Sequence, residues 1–149
     1  MASATPASTD SLRRISELEY ILIGDLRDLL DSPIDEQNLR WVSAVVDAIL
    51  ETLPKQFELK QQQGGYLQEV LNVQPNWECH VLSLEVEHAQ ICHRLRQLRN
   101  QLPQAVKVKI LARSLRRELK SWMQAFVAHS RRESRLLQTA MNLEVGCGD

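Results

Sequence analysis

In four separate stretches of this chain apolar residues return every three or four positions, a spacing that calls for amphipathic helices packed side by side. The first stretch, from about Ser11 to Asp31, carries Leu12, Ile15, Leu18, Leu22, Leu26 and Leu29, with Thr9, Asp10 and Ser11 offering capping oxygens ahead of it. Ser32-Pro33 is expected to stop it. The second begins near Asp35, where Asp35 and Glu36 suit the positive end of a helix dipole, and carries Leu39, Val42, Val46, Ile49 and Leu53. Pro54 is expected to bend this helix, whose stripe continues through Gln56, Phe57 and Lys60 to the break at Gly64-Gly65. Tyr66 to Leu71 then reads as a short helical turn.

The third stretch starts at about Pro75, a residue favoured in the first helical position, and presents Trp77, Val81, Leu84, His88, Ile91, Leu95, Leu98 and Leu102. Pro103 separates it from the fourth, whose inward positions are Val108, Leu111, Leu115, Leu119, Trp122, Phe126, His129, Glu133, Leu136 and Ala140. This last helix is expected to fray or break before Met141. The expected fold is all-α, an up-down-up-down four-helix bundle over residues 11–141. Residues 1–10 read as a disordered N-terminal segment and 142–149 as a flexible tail.

Composition agrees with helix. Glycine and proline number five each in 149 residues, and clusters of β-branched residues are few. No stretch approaches the roughly 18 uninterrupted apolar residues of a membrane span. The first nine residues have neither the basic start nor the apolar core of a signal peptide, and three cysteines without paired spacing suit a reducing compartment, so a cytoplasmic location is expected. Cys92 falls on a core-facing stripe as a small buried hydrophobe.

Charge is divided unevenly. Residues 1–75 hold 12 acidic and 6 basic side chains, and residues 76–149 hold 7 acidic and 12 basic. Lys107, Lys109, Arg113, Arg116, Arg117, Lys120, Arg131, Arg132 and Arg135 would be the footprint of a nucleic-acid surface. The plainer reading, preferred here because no exposed aromatics are interleaved with these residues, is of acidic helices packed beside basic ones. The partners expected are a metal ion or another protein, and neither nucleic acid nor a membrane.

Polar residues on the apolar stripes carry the functional signal. His129 and Glu133, four residues apart, lie one above the other on one helix face, and His88 faces them from the third helix. All three stand where leucine would be expected. An imidazole pair and a carboxylate suit a first-row ion such as iron, zinc or manganese, with Glu85 or Cys92 as a fourth donor. The alternative is a metal-free network. A buried carboxylate demands a cation, a hydrogen-bond donor or a proton, and Lys60 on the second helix can supply the cation to Glu133. His80 and His93 read as surface or helix-end histidines, and Trp41, Trp77 and Trp122 as core or rim packing. No phosphate-binding loop, nucleophile elbow or Cys-x-x-Cys pair is present, which removes the commonest enzyme classes.

The runs Leu84-Glu85-Val86-Glu87-His88 and Phe126-Val127-Ala128-His129-Ser130-Arg131-Arg132-Glu133, with Leu53 to Leu67 as the end of the second helix, resemble the hemerythrin-like, or HHE cation-binding, family. The resemblance implies a four-helix bundle built around two non-haem irons, with His88, His129 and Glu133 as iron ligands. Gln56 stands where the family's second helix has a histidine and Lys60 where it has a carboxylate. Ile23, Gly24 and Asp25 stand where the first helix has its histidine. The resemblance therefore implies a degenerate site with at most one iron or similar ion, serving sensing or storage without catalysis. A single-metal enzyme acting on oxygen or peroxide and a metal-free scaffold are the rival readings.

Overall fold

The computed structural model describes residues 6–62 and 65–147. Residues 1–5, 63, 64, 148 and 149, with the parts of the expected terminal segments that fall on them, lie outside the described residues. Every regular element among the described residues is helical: α1 (Pro6–Leu29), α2 (Leu39–Gln61), α3 (Tyr66–Val73), α4 (Glu78–Gln101) and α5 (Lys109–Cys147), with 3₁₀ turns at Pro75–Trp77 and Leu102–Gln104. None of the described helices is long and apolar enough to cross a membrane.

The ends of the helices follow local chemistry. Helix α1 begins at Pro6 rather than Ser11, with proline in the first helical position, where it loses no hydrogen bond. Helix α2 begins at Leu39 rather than near Asp35, because Asp35 and Asn38 tie each other into a turn. The Asn38 Oδ1 accepts from the Asp35 N–H at 2.8 Å, and the Asp35 Oδ1 accepts from the Gln37 and Asn38 N–H groups at 2.9 Å. It then runs unbroken through Pro54 to Gln61. At Gly65 a Cβ would collide with the carbonyl oxygens of Leu59 and Lys60, so only glycine lets the chain turn back this closely from α2 into α3. Helix α5 continues past Met141 to Cys147, since no proline interrupts that stretch and Gly146 falls only in its last turn. The terminal boundaries drawn from sequence at 10 and 142 thus both fall inside helices.

Helix α1 lies along α2, α2 lies beside α4, α4 packs on α5, and the short α3 leans on α5; α1 scarcely meets α5. The main core joins Leu22, Ile23, Leu26 and Leu30 of α1 to Val42, Val46, Ile49 and Leu53 of α2, Ile91, Leu95 and Leu98 of α4, and Leu115, Leu119 and Trp122 of α5. Trp122 is fully buried, and its Nε1–H donates to the Ile91 carbonyl at 2.9 Å, so its one polar atom is satisfied. A second cluster, Phe57, Leu67, Val70, Val81, Leu84 and Ala140, fills the end of the molecule under α3.

The expected stripes are corrected at two places. Leu18 is 45% exposed, and Val108, just before α5, is 49% exposed. On α1 the inward column runs Leu12, Glu19, Leu26 at seven-residue intervals, which turns Glu19 toward the interior and Leu18 away from it. Trp41 is also at the surface, 63% exposed. Polar side chains lock the helices at their rims. The Arg116 guanidinium donates from Nε to the Leu30 carbonyl at 2.7 Å and from Nη2 to the Asp31 carbonyl at 3.0 Å, closing the C-terminal end of α1 from α5. Arg99 grips Asp47 with Nε at 2.5 Å and Nη2 at 3.0 Å, joining α4 to α2.

Candidate functional site

Helical periodicity brings the polar residues of four helices together at the boundary between the two apolar clusters. Gln56, His88 and His129 are buried there. Lys60 and Glu133 are each only 12% exposed in their side chains. The expected Lys60–Glu133 pair is formed: the Lys60 ammonium donates to Glu133 Oε1 across α2 and α5. The other carboxylate oxygen, Oε2, lies 3.7 Å from Nε2 of His129, one turn back on α5.

His129 is oriented from α4 by Glu87. Its Nδ1 is 2.5 Å from Glu87 Oε1, and because an ionised carboxylate can only accept, Nδ1 carries the hydrogen. Glu87 is in turn held by Arg132, which donates from Nε to Oε1 at 3.1 Å and from Nη2 to Oε2 at 2.6 Å. Burial pushes the Glu87 carboxyl upward, but the hydrogen bonds from Arg132 and His129 outweigh it and leave the group below the usual carboxylate range. The Nε2 of His129 is buried without a hydrogen-bond partner.

His88 occupies the same layer from α4, its ring centroid 5.9 Å from that of His129. It stacks on Phe57 of α2 at 4.2 Å with the planes 17° apart. Its ring also hydrogen-bonds the Leu53 carbonyl. Burial, with neighbouring His129 and Lys60 adding to it, pushes the His88 imidazole down to about 4, so it is neutral at physiological pH. Cys92, one turn on, places its sulfur 3.8 Å from His88 Nδ1, and burial pushes its thiol upward, as befits a packing residue.

Two members of this cluster were not found by sequence reasoning. Glu19 enters from α1, one position from Leu18 of the expected apolar stripe. Burial raises its carboxyl from 4.5 to about 7; Lys60 and the hydrogen bond from Gln56 pull it down and Glu133 pushes it up. Its Oε2 is buried without a hydrogen-bond partner, while Gln56 Nε2 donates to Ser16 Oγ at 3.1 Å on the same helix. The available signal was the seven-residue spacing of Glu19 from Leu12 and Leu26. Glu87 is the other, while Glu85, the expected fourth donor, instead accepts from Gln61 Nε2 at 2.7 Å at the rim.

A resident metal ion would need the remaining donors to converge, and as placed they do not fit one. Glu133 gives an oxygen to Lys60, and His88 is turned to Phe57 and the Leu53 carbonyl. Among the described residues no three His, Cys, Asp or Glu side chains gather into a metal-holding group. His80 and His93 are exposed and take no part. No family model matches the chain, and neither does any curated protein or solved structure.

Proposed function

We propose that this chain is a hemerythrin-like four-helix bundle, with α3 an insertion between its second and third long helices, in which Lys60 takes the place of the metal. In this reading the domain is non-catalytic and acts by binding, in a cytoplasmic setting. The observation that carries it is the Lys60–Glu133 ion pair, with both side chains nearly buried at the position where the family resemblance puts a bridging carboxylate and an ion. An ammonium there neutralises Glu133 without coordination chemistry, and truncating either partner leaves a buried charge, at a cost of roughly 3 to 5 kcal/mol. Thermal unfolding tests this directly. A metal-independent bundle keeps the same Tm in strong chelator and in ferrous or zinc salt, whereas an ion bound to the native state raises Tm by mass action.

One feature favours a second reading, a single iron, zinc or manganese ion at His88, His129 and Glu133. Glu87 holds His129 by Nδ1 as carboxylates commonly hold metal-ligating histidines, and leaves Nε2 unpartnered and turned toward Glu133. This requires the Lys60 ammonium to withdraw from Glu133. A rise of Tm with one metal, lost in His129→Ala, would establish it.

A further inference from the structure

Because α1 is held mainly by α2 and scarcely meets α5, the side of the molecule between α1 and α5 is open. A cleft of about 640 Å³ lies there, within the range of small-molecule sites. Its floor is apolar, built from Ile23 and Phe126 with Val127 beside them. Gly24 widens it: a Cβ built on this residue meets no heavy atom within 4 Å, so the helix carries a residue of poor helical propensity where open space makes a side chain admissible.

The cleft is also charged in one sense at its mouth. Arg27 from α1 and Arg131 and Arg135, one turn apart on α5, line it and are exposed, and no ion pair or hydrogen bond engages any of the three among the described residues. At its inner end Ser16, Glu19, Ser130 and Ser134 are shared with a smaller chamber of about 200 Å³ that reaches Lys60 and Glu133. The cleft thus leads from a basic rim over an apolar floor to hydroxyl groups and the partnerless Glu19 Oε2.

We propose that this cleft binds a small organic monoanion, a carboxylate carried on an apolar chain or ring, with the apolar body over Ile23, Gly24 and Phe126 and the carboxylate at Arg131 and Arg135. This rests on reading the bundle as a non-catalytic binding domain. Apolar area removed from water supplies affinity, and the unpaired guanidiniums select the charged head. A ligand of the opposite charge would meet three arginines, and a wholly polar anion would leave the floor wet.

Titration calorimetry with decanoate, and with decanol as the uncharged counterpart, tests this on the full chain. The expected result is one decanoate per chain, bound at least tenfold more tightly than decanol. Gly24→Leu fills the floor and is expected to abolish binding while leaving Tm unchanged or higher. Arg131→Glu with Arg135→Glu reverses the charge at the rim and is expected to weaken decanoate at least tenfold and decanol little. Failure of decanoate to bind, binding of decanol as tight as decanoate, or binding indifferent to both variants each overturns the proposal. If Gly24→Leu fails to fold, the surface arginine pair still decides. Tm in chelator, measured alongside, separates this from the metal-free reading, which stands if decanoate does not bind and Tm ignores metal.

Discussion

Two buried groups of the polar layer pull stability in opposite directions with pH. Glu19 has its carboxyl raised from 4.5 to about 7 by burial, so between those values the native state holds a proton that the unfolded chain has released. Its contribution is therefore fully present below about 4.5 and is lost as pH rises through about 7, a change on the order of 3 kcal/mol. His88 behaves conversely: with its imidazole pushed from 6.5 down to about 4, the unfolded chain binds the extra proton, and stability is lost as pH falls from 6.5 toward 4. The two windows overlap and offset each other in the parent chain. Glu19→Gln removes one of them, so urea unfolding of that variant is expected to show greater stability than the parent at pH 8 and a steeper loss between pH 6.5 and 4. A parent and variant with parallel pH profiles would mean that Glu19 is solvated.

The Lys60–Glu133 pair gives a second residue-scale prediction. Lys60→Met and Glu133→Leu are each expected to destabilise by roughly 3 to 5 kcal/mol, and the two together by much less than the sum, because an apolar pair of similar size leaves no uncompensated charge. A double-mutant cycle by chemical denaturation measures the coupling. Additive losses would show that the two side chains act apart.

Among the elements, α1 is secured mainly on one side. It is tied along α2, closed at its C-terminal end by Arg116, and open toward α5, where Gly24 leaves space. Gly24→Ala is expected to raise stability by up to about 1 kcal/mol through helix propensity alone, with no steric penalty. Gly65→Ala, by contrast, drives a Cβ into the Leu59 and Lys60 carbonyls and is expected to lower Tm by several degrees, since α2 and α3 must separate to admit it. The same elements show why sequence reading succeeded or missed. On α4 and on the central part of α5 the inward stripe keeps a regular helical spacing, and Val81, Leu84, His88, Ile91, Leu95, Leu115, Leu119, Trp122 and His129 are all buried as expected. On α1 two leucine columns compete. Leu18 and Ile21 look inward by type yet are 45% and 56% exposed, and Glu19 takes the inward place because Leu12 and Leu26 fix the face. Helix ends were harder, since the Asp35–Asn38 turn and the run past Met141 depend on local hydrogen bonds and on an absence of breakers rather than on periodicity.

For the molecule as a whole, the all-helical architecture and the layer formed by Lys60, His88, His129 and Glu133 were legible from spacing, because those residues interrupt otherwise apolar stripes. The contributions of Glu19 and Glu87 were not, because each lies one position from a residue that fitted the stripe better. The division of charge also takes a partly structural form: Arg99 with Asp47, Arg132 with Glu87, and Arg116 on the end of α1 join basic side chains to neighbouring helices. On the proposed reading Lys60 replaces a metal ion, and elemental analysis after anaerobic iron loading tests this. The parent chain, prepared without a histidine tag, is compared with the variant Gln56→His with Lys60→Glu. The account predicts a parent with no stoichiometric metal and a double variant that gains iron. One equivalent of metal in the parent, lost in His129→Ala and Glu133→Ala, would contradict it.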